Sequence, residues 1–136
     1  MKPDRVVLDT SVFVSLILSR HLDELVVWNK DYQITIYTCS ELLDELKVVL
    51  NRPYIRKNLT EPPAVYLRFI KSVTQEQTID LCFDRSPDLK DNYLFDLAYT
   101  IKSHYLVTHD KPLLNMKQVN KIKIISLAEW RKILKK

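Results

Sequence analysis

The chain has no glycine among its 136 residues. Gly-rich phosphate loops, of the dinucleotide or the P-loop kind, depend on positive φ and a close backbone approach to phosphate. Both are excluded, so any phosphate chemistry must rest on side chains or a metal ion. Cysteine is scarce as well. Cys39 and Cys82 are the only two; neither belongs to a Cys-x-x-Cys pair, and His21, His104 and His109 are not spaced as zinc ligands. Two buried, reduced thiols are expected. No apolar run approaches the roughly 18–20 residues that cross a bilayer. Met1-Lys2-Pro3 leads straight into a strand-like segment without a signal-peptide pattern. A cytoplasmic protein without membrane contact is the expectation.

What is present suits one domain over residues 1–136. The hydrophobic fraction is 46% and the charged fraction 28%, the balance of a globular chain that buries one core. A formal net charge of +4 mildly favours a polyanionic partner. The excess lies late, in Lys117, Lys121, Lys123, Arg131, Lys132, Lys135 and Lys136. A solvated helix face and a frayed tail account for it equally well.

Strand and helix patterns alternate along the chain. Arg5-Val6-Val7-Leu8 is a short apolar run that breaks at Asp9-Thr10-Ser11, as a buried parallel strand ending in a turn does. Helices are expected to about Leu18 and from about Leu22 to Asn29, then a strand from Gln33 to Tyr37. Ser40 or Thr38 caps a helix running from Glu41 to about Leu50, which Arg52-Pro53 ends. Pro62-Pro63 opens another helix to about Val73, and Thr78 to Cys82 reads as a weak strand. A helix from Asp91 to Ser103, strands at Tyr105–Val107 and Ile122–Ile125, and a helix capped by Ser126 complete the chain. This rhythm predicts an α/β fold, a parallel sheet with helices on both faces in three layers.

Ligands of open parallel sheets bind beyond the carboxyl ends of the strands. Asp9 follows Val6-Val7-Leu8 and Asp110 follows Leu106-Val107-Thr108-His109, so both fall there. Two further acids emerge from helical geometry, at about 100° per residue. Leu42, Leu43, Leu46, Val49 and Leu50 form an apolar stripe with Glu45 at its edge, whereas Asp44 and Glu41 point away. On the later helix Leu94, Leu97, Ala98 and Ile101 share a face, Asp91 lies on that side one turn earlier, and Asp96 lies opposite. Taken singly, Asp9 and Asp110 also fit a turn or helix cap, Asp91 an N-terminal cap, and Glu45 a charge flanking the core. Gathered at one sheet edge, Asp9, Glu45, Asp91 and Asp110 would repel one another. A hard divalent cation such as Mg²⁺ or Mn²⁺, which prefers oxygen ligands, relieves that repulsion.

These segments resemble the PIN-domain ribonucleases. Val6 to Val14 is similar to their opening strand, which ends in Asp-Thr-Ser/Asn before a helix. Glu41 to Leu50 followed by Asn51-Arg52-Pro53 resembles the helix bearing the second acid. Asp88 to Ala98 looks like the helix start bearing the third. Tyr105-Leu106-Val107-Thr108-His109-Asp110 resembles the strand and T-x-D turn bearing the fourth, and Leu113-Leu114 fits behind it. The likeness covers nearly the whole chain in order, and is greatest to the toxin components of prokaryotic toxin–antitoxin pairs. Two positions depart from the pattern: His109 stands where relatives often have a small residue, and Pro112 where many carry a further acid.

The resemblance implies about five parallel strands, Mg²⁺ or Mn²⁺ at the acids, and endonucleolytic cleavage of single-stranded RNA by water, leaving a 5′-phosphate and a 3′-hydroxyl. It implies Asp9, Glu45, Asp91 and Asp110 as catalytic and metal-binding residues and Thr108 as a supporting hydroxyl. It further implies a small antitoxin partner and a homodimer; Val26, Val27 and Trp28 would form that groove or dimer face if they are not core. Two rivals come from other classes. One is an inactive RNA- or antitoxin-binding module that kept the fold. The other is a phosphatase with Asp9 as covalent nucleophile, which usually needs a second aspartate where Ser11 stands.

Overall fold

The computed structural model describes residues 4–79 and 92–135. The chain runs β1 (Arg5–Leu8), α1 (Thr10–Leu18), α2 (Glu24–Lys30), β2 (Thr35–Thr38), α3 (Ser40–Leu50), α4 (Pro53–Arg56), α5 (Pro63–Val73) and β3 (Gln75–Glu76). After the interval come α6 (Asn92–Thr100), β4 (Tyr105–Val107), α7 (Lys111–Met116), β5 (Gln118–Val119), β6 (Ile122–Ile125) and α8 (Leu127–Leu134). Among the described residues these strands form one six-stranded sheet in the order β3-β2-β1-β4-β6-β5. All neighbours are parallel except β5 and β6. The expected α/β class and its parallel sheet are therefore present, with five parallel strands and a short antiparallel addition.

Val6, Val7 and Leu8 have no exposed surface. Successive strand residues face opposite sides, so both faces of the sheet are covered, which is why Val6, Val7 and Leu8 are all apolar rather than alternating. Buried residues from Val6 to Leu134 join one core, with Phe13, Phe95 and Trp130 among its largest members. Trp28 belongs to that core, whereas Val27 is 40% exposed. Among the described residues no helix is long and apolar enough to cross a membrane.

Without glycine the chain must place other residues where helices turn out. Arg20 and Lys102 have φ of 62° and 57°. Around Lys102 the amide of Ser103 donates to Ala98 O and that of Lys102 to Tyr99 O. Around Arg20 the amides of His21 and Arg20 donate to Leu16 O and Ile17 O. Both are Schellman endings, in which the left-handed position is normally glycine. Ser126 closes α8 at its start by a reciprocal capping box with Glu129.

Several elements depart from the sequence pattern. The third strand lies at Gln75–Glu76 rather than from Thr78 on, and residues 80–82 are outside the described ones. Thr74 is already extended as α5 ends, and Gln75 and Glu76 pair at once with Tyr37 and Thr38. An edge pairing made by backbone alone needs no apolar residues, so it leaves little sequence signal. The N-cap of α3 is Cys39, which makes no side-chain cap bond; Ser40 instead donates its hydroxyl to Glu41. The Arg52-Pro53 stop begins the short α4, with Pro53 as its first residue.

Candidate active site

The chain crosses from one half of the sheet to the other at β1, whose neighbours are β2 and β4. Such a switch point opens a crevice at the carboxyl ends of the strands. Leu8 pairs with Val107, and the Asp9 amide donates to Val107 O at 2.9 Å. The sheet register thus sets Asp9 beside Thr108, although 99 residues separate them.

Asp9 is only 5% exposed, and its carboxylate is surrounded by donors. Oδ1 accepts from the Thr10 amide at 2.6 Å and from Thr10 Oγ1 at 3.2 Å. Oδ2 accepts from Thr108 Oγ1 at 2.7 Å and from Ser11 Oγ at 3.4 Å. Asp9 thus caps α1 with one oxygen and bonds the residue that follows β4 with the other. Thr108 is fully buried, and its Oγ1 also accepts from the Asp110 amide at 3.0 Å. One hydroxyl therefore ties together the positions of two predicted acids. Ser11 adds a second tie, since its Oγ accepts from the exposed His109 amide at 3.2 Å. Asp110 is half-buried and opens α7, but its carboxylate makes no cap bond.

Glu45 reaches the same region from α3. It is half-buried, while Glu41 and Asp44 on the same helix are exposed, which is the sorting that helical periodicity gives. Tyr93, on α6, donates its phenolic hydrogen to Glu45 Oε2. Burial holds the Tyr93 hydroxyl far above its ordinary pKa, and the Glu45 hydrogen bond and charge, then the charges of Asp9 and Cys39, push it in the same direction. Tyr93 thus senses both Asp9 and Glu45. Cys39 is fully buried and reduced, and burial pushes its thiol up to about 11.

Asp91 lies outside the described residues, as does Cys82. Among the described residues no three His, Cys, Asp or Glu side chains form a group arranged for a metal ion. Those near the crevice, Asp9, Glu45 and Asp110, offer only hard carboxylate oxygens. That chemistry fits Mg²⁺ or Mn²⁺ and does not select zinc or copper.

Sequence reasoning missed two residues here. Tyr93 sits one helical turn before Leu97 on the buried side of α6, so its ring could be placed but not the reach of its hydroxyl. Asp96, which periodicity sets opposite the apolar face, is 7% exposed. The reason is that α6 touches β1, β4 and α3 together, and Leu94 through Ala98 are all buried.

A family model described as a PIN domain matches residues 5–112, well over half of the chain. The chain belongs to the PIN domain family. No curated protein sequence matches it. Among solved structures it is similar to PAE2754 from Pyrobaculum aerophilum, with a TM-score of 0.63 at 16% identity over 96% of this chain and 89% of that one. VapC20 of Mycobacterium tuberculosis, described as a toxin cleaving the sarcin-ricin loop, gives 0.57 at 16% identity over 87% and 98%. VapBC2 of Rickettsia felis, bound to a DNA fragment from its promoter, gives 0.58 at 14% identity over 90% and 98%. At these identities the likeness concerns the PIN fold.

Proposed function

We propose that this PIN domain is a metal-dependent endoribonuclease that cuts single-stranded RNA with water as nucleophile, as the toxin of a toxin–antitoxin pair. The observation that carries this is Asp9: a nearly buried carboxylate at the sheet's switch point, fixed by Thr10, Ser11 and Thr108. Desolvating a charge in this way is costly unless it is paired or coordinates a cation. Asp9 and Asp91 would hold the metal most directly, with Glu45 and Asp110 completing its shell or orienting water. A hard dication bound there supplies the acidity that activates water and offsets charge on the phosphodiester. Thr108 keeps Asp9 and the Asp110 turn in register, and no side chain is needed as a covalent nucleophile. The two VapC-type neighbours support the toxin role, a small antitoxin partner and an RNA substrate. Cytoplasmic action and a homodimer belong to the same reading, the latter checked by light scattering.

The decisive experiment gives purified protein Mn²⁺ or Mg²⁺ with single-stranded RNA, beside Asp9→Asn and an EDTA control. Wild type should leave 5′-phosphate and 3′-hydroxyl ends, and both controls should lose about 100-fold or more of the rate. Equal cleavage by wild type and Asp9→Asn, unaffected by EDTA, refutes the assignment. RNA binding without turnover would instead favour the inactive module.

A further inference from the structure

The two best-described carboxylates of the crevice are held in different ways. Asp9 is short, nearly buried and bonded by donors from its own helix start and from the end of β4. Glu45 is longer by a methylene and sits at the edge of the buried stripe of α3, one residue from the exposed Asp44. A glutamate there has rotamers that lead outward to solvent as well as inward to the crevice, and choosing one costs side-chain entropy. One group that holds it inward is the Tyr93 hydroxyl, bonded to Oε2 across 48 residues of sequence. Core packing does not require that hydroxyl. The Tyr93 ring packs against the core, and phenylalanine would fill the same place.

We infer that Tyr93 is a positioning residue for Glu45, holding one of its oxygens so that the carboxylate stays on the side of α3 that faces α6, where it can help to hold a divalent cation. The inference rests on the proposed function and adds a residue to it. Carboxylates that ligate metals are themselves hydrogen-bonded, and loss of such an outer partner typically weakens metal affinity or activity by about 10–100-fold. Tyr93 touches neither substrate nor metal in this scheme, so its removal acts on metal affinity ahead of RNA affinity.

The test titrates Mn²⁺ calorimetrically into wild type, Tyr93→Phe, Glu45→Gln and the double variant, with circular dichroism melts alongside. RNA cleavage is then measured across a range of Mn²⁺ concentrations. Tyr93→Phe should still melt cooperatively, keep its KM for RNA, bind Mn²⁺ about 10-fold or more weakly, and regain most of kcat when Mn²⁺ saturates. The double variant should bind no more weakly than Glu45→Gln alone, because both changes remove one arrangement. Wild-type or tighter Mn²⁺ binding by Tyr93→Phe, or losses that simply add in the double variant, overturns the inference and leaves the nuclease assignment standing. If wild type neither binds Mn²⁺ nor cleaves RNA, both fall together.

Discussion

Removing the Thr108 hydroxyl tests whether the crevice is built by polar bonds or by packing. Thr108→Val keeps the branched shape and deletes two bonds, one to Asp9 Oδ2 at 2.7 Å and one from the Asp110 amide at 3.0 Å. A hydrogen bond to a charged group contributes about 1.5–3 kcal/mol, and an amide left without a partner costs about 1 kcal/mol or more. The added methyl in a fully buried site returns roughly 1 kcal/mol. The net loss should be about 2–3 kcal/mol, which lowers Tm by roughly 6–15 °C in a domain of this size. Thr108→Ser keeps the hydroxyl and loses one methyl, at about 1 kcal/mol. Thermal or urea unfolding without added metal reads both. The order is diagnostic: valine worse than serine supports the polar tie, while serine worse than valine refutes it.

Lys102→Gly should stabilise the protein by about 0.5–1 kcal/mol in urea unfolding, since glycine relieves the left-handed strain at the end of α6 and returns only part of it as backbone entropy. Arg131 meets Glu24 through Nε, at 3.1 Å, and through Nη2, linking α8 to α2. Because the Arg131 side chain is 37% exposed, Arg131→Ala should cost no more than about 1 kcal/mol, and less in 1 M salt; a larger, salt-independent loss would point to packing instead. Cys39, followed in a Cys82→Ser background, should resist maleimide at pH 8 until the protein unfolds. Its folded-state pKa is raised, so the folded chain keeps a proton that the unfolded chain has lost. Its contribution is whole below the unfolded value of 9.0 and declines as pH rises toward about 11; rapid native-state labelling would contradict the burial.

Legibility in the sequence followed the range of the forces involved. Val6-Val7-Leu8, Leu106-Val107 and Ile124-Ile125 are buried on both faces of a parallel sheet, so composition alone marks them. Ser126 and Glu129 cap α8 through side chains three residues apart, a purely local signal. β3 and β5 are two-residue strands held by backbone pairing at the sheet's edges, and α4 and α7 are short helices with a proline in the first turn; none has a periodicity to detect. Asp96 shows the limit of periodicity more sharply. A helical wheel ranks the sides of α6 against each other, but it cannot reveal that neighbours pack on more than one of them.

The same contrast divides the crevice. Asp9 and Thr108 meet because Leu8 and Val107 are paired in adjacent strands, so their contact is a consequence of sheet register and is as firm as the fold itself. Glu45 and Tyr93 meet because α3 and α6 pack side by side. Periodicity gives the face each presents, but their relative height comes only from tertiary packing. Changes at Asp9 or Thr108 should therefore disturb stability and chemistry together, whereas changes at Glu45 or Tyr93 should alter metal affinity with little effect on unfolding. A Tyr93→Phe variant that lost as much stability as Thr108→Val would break this division, and would place α6 in the same cooperative unit as the β1–β4 ladder.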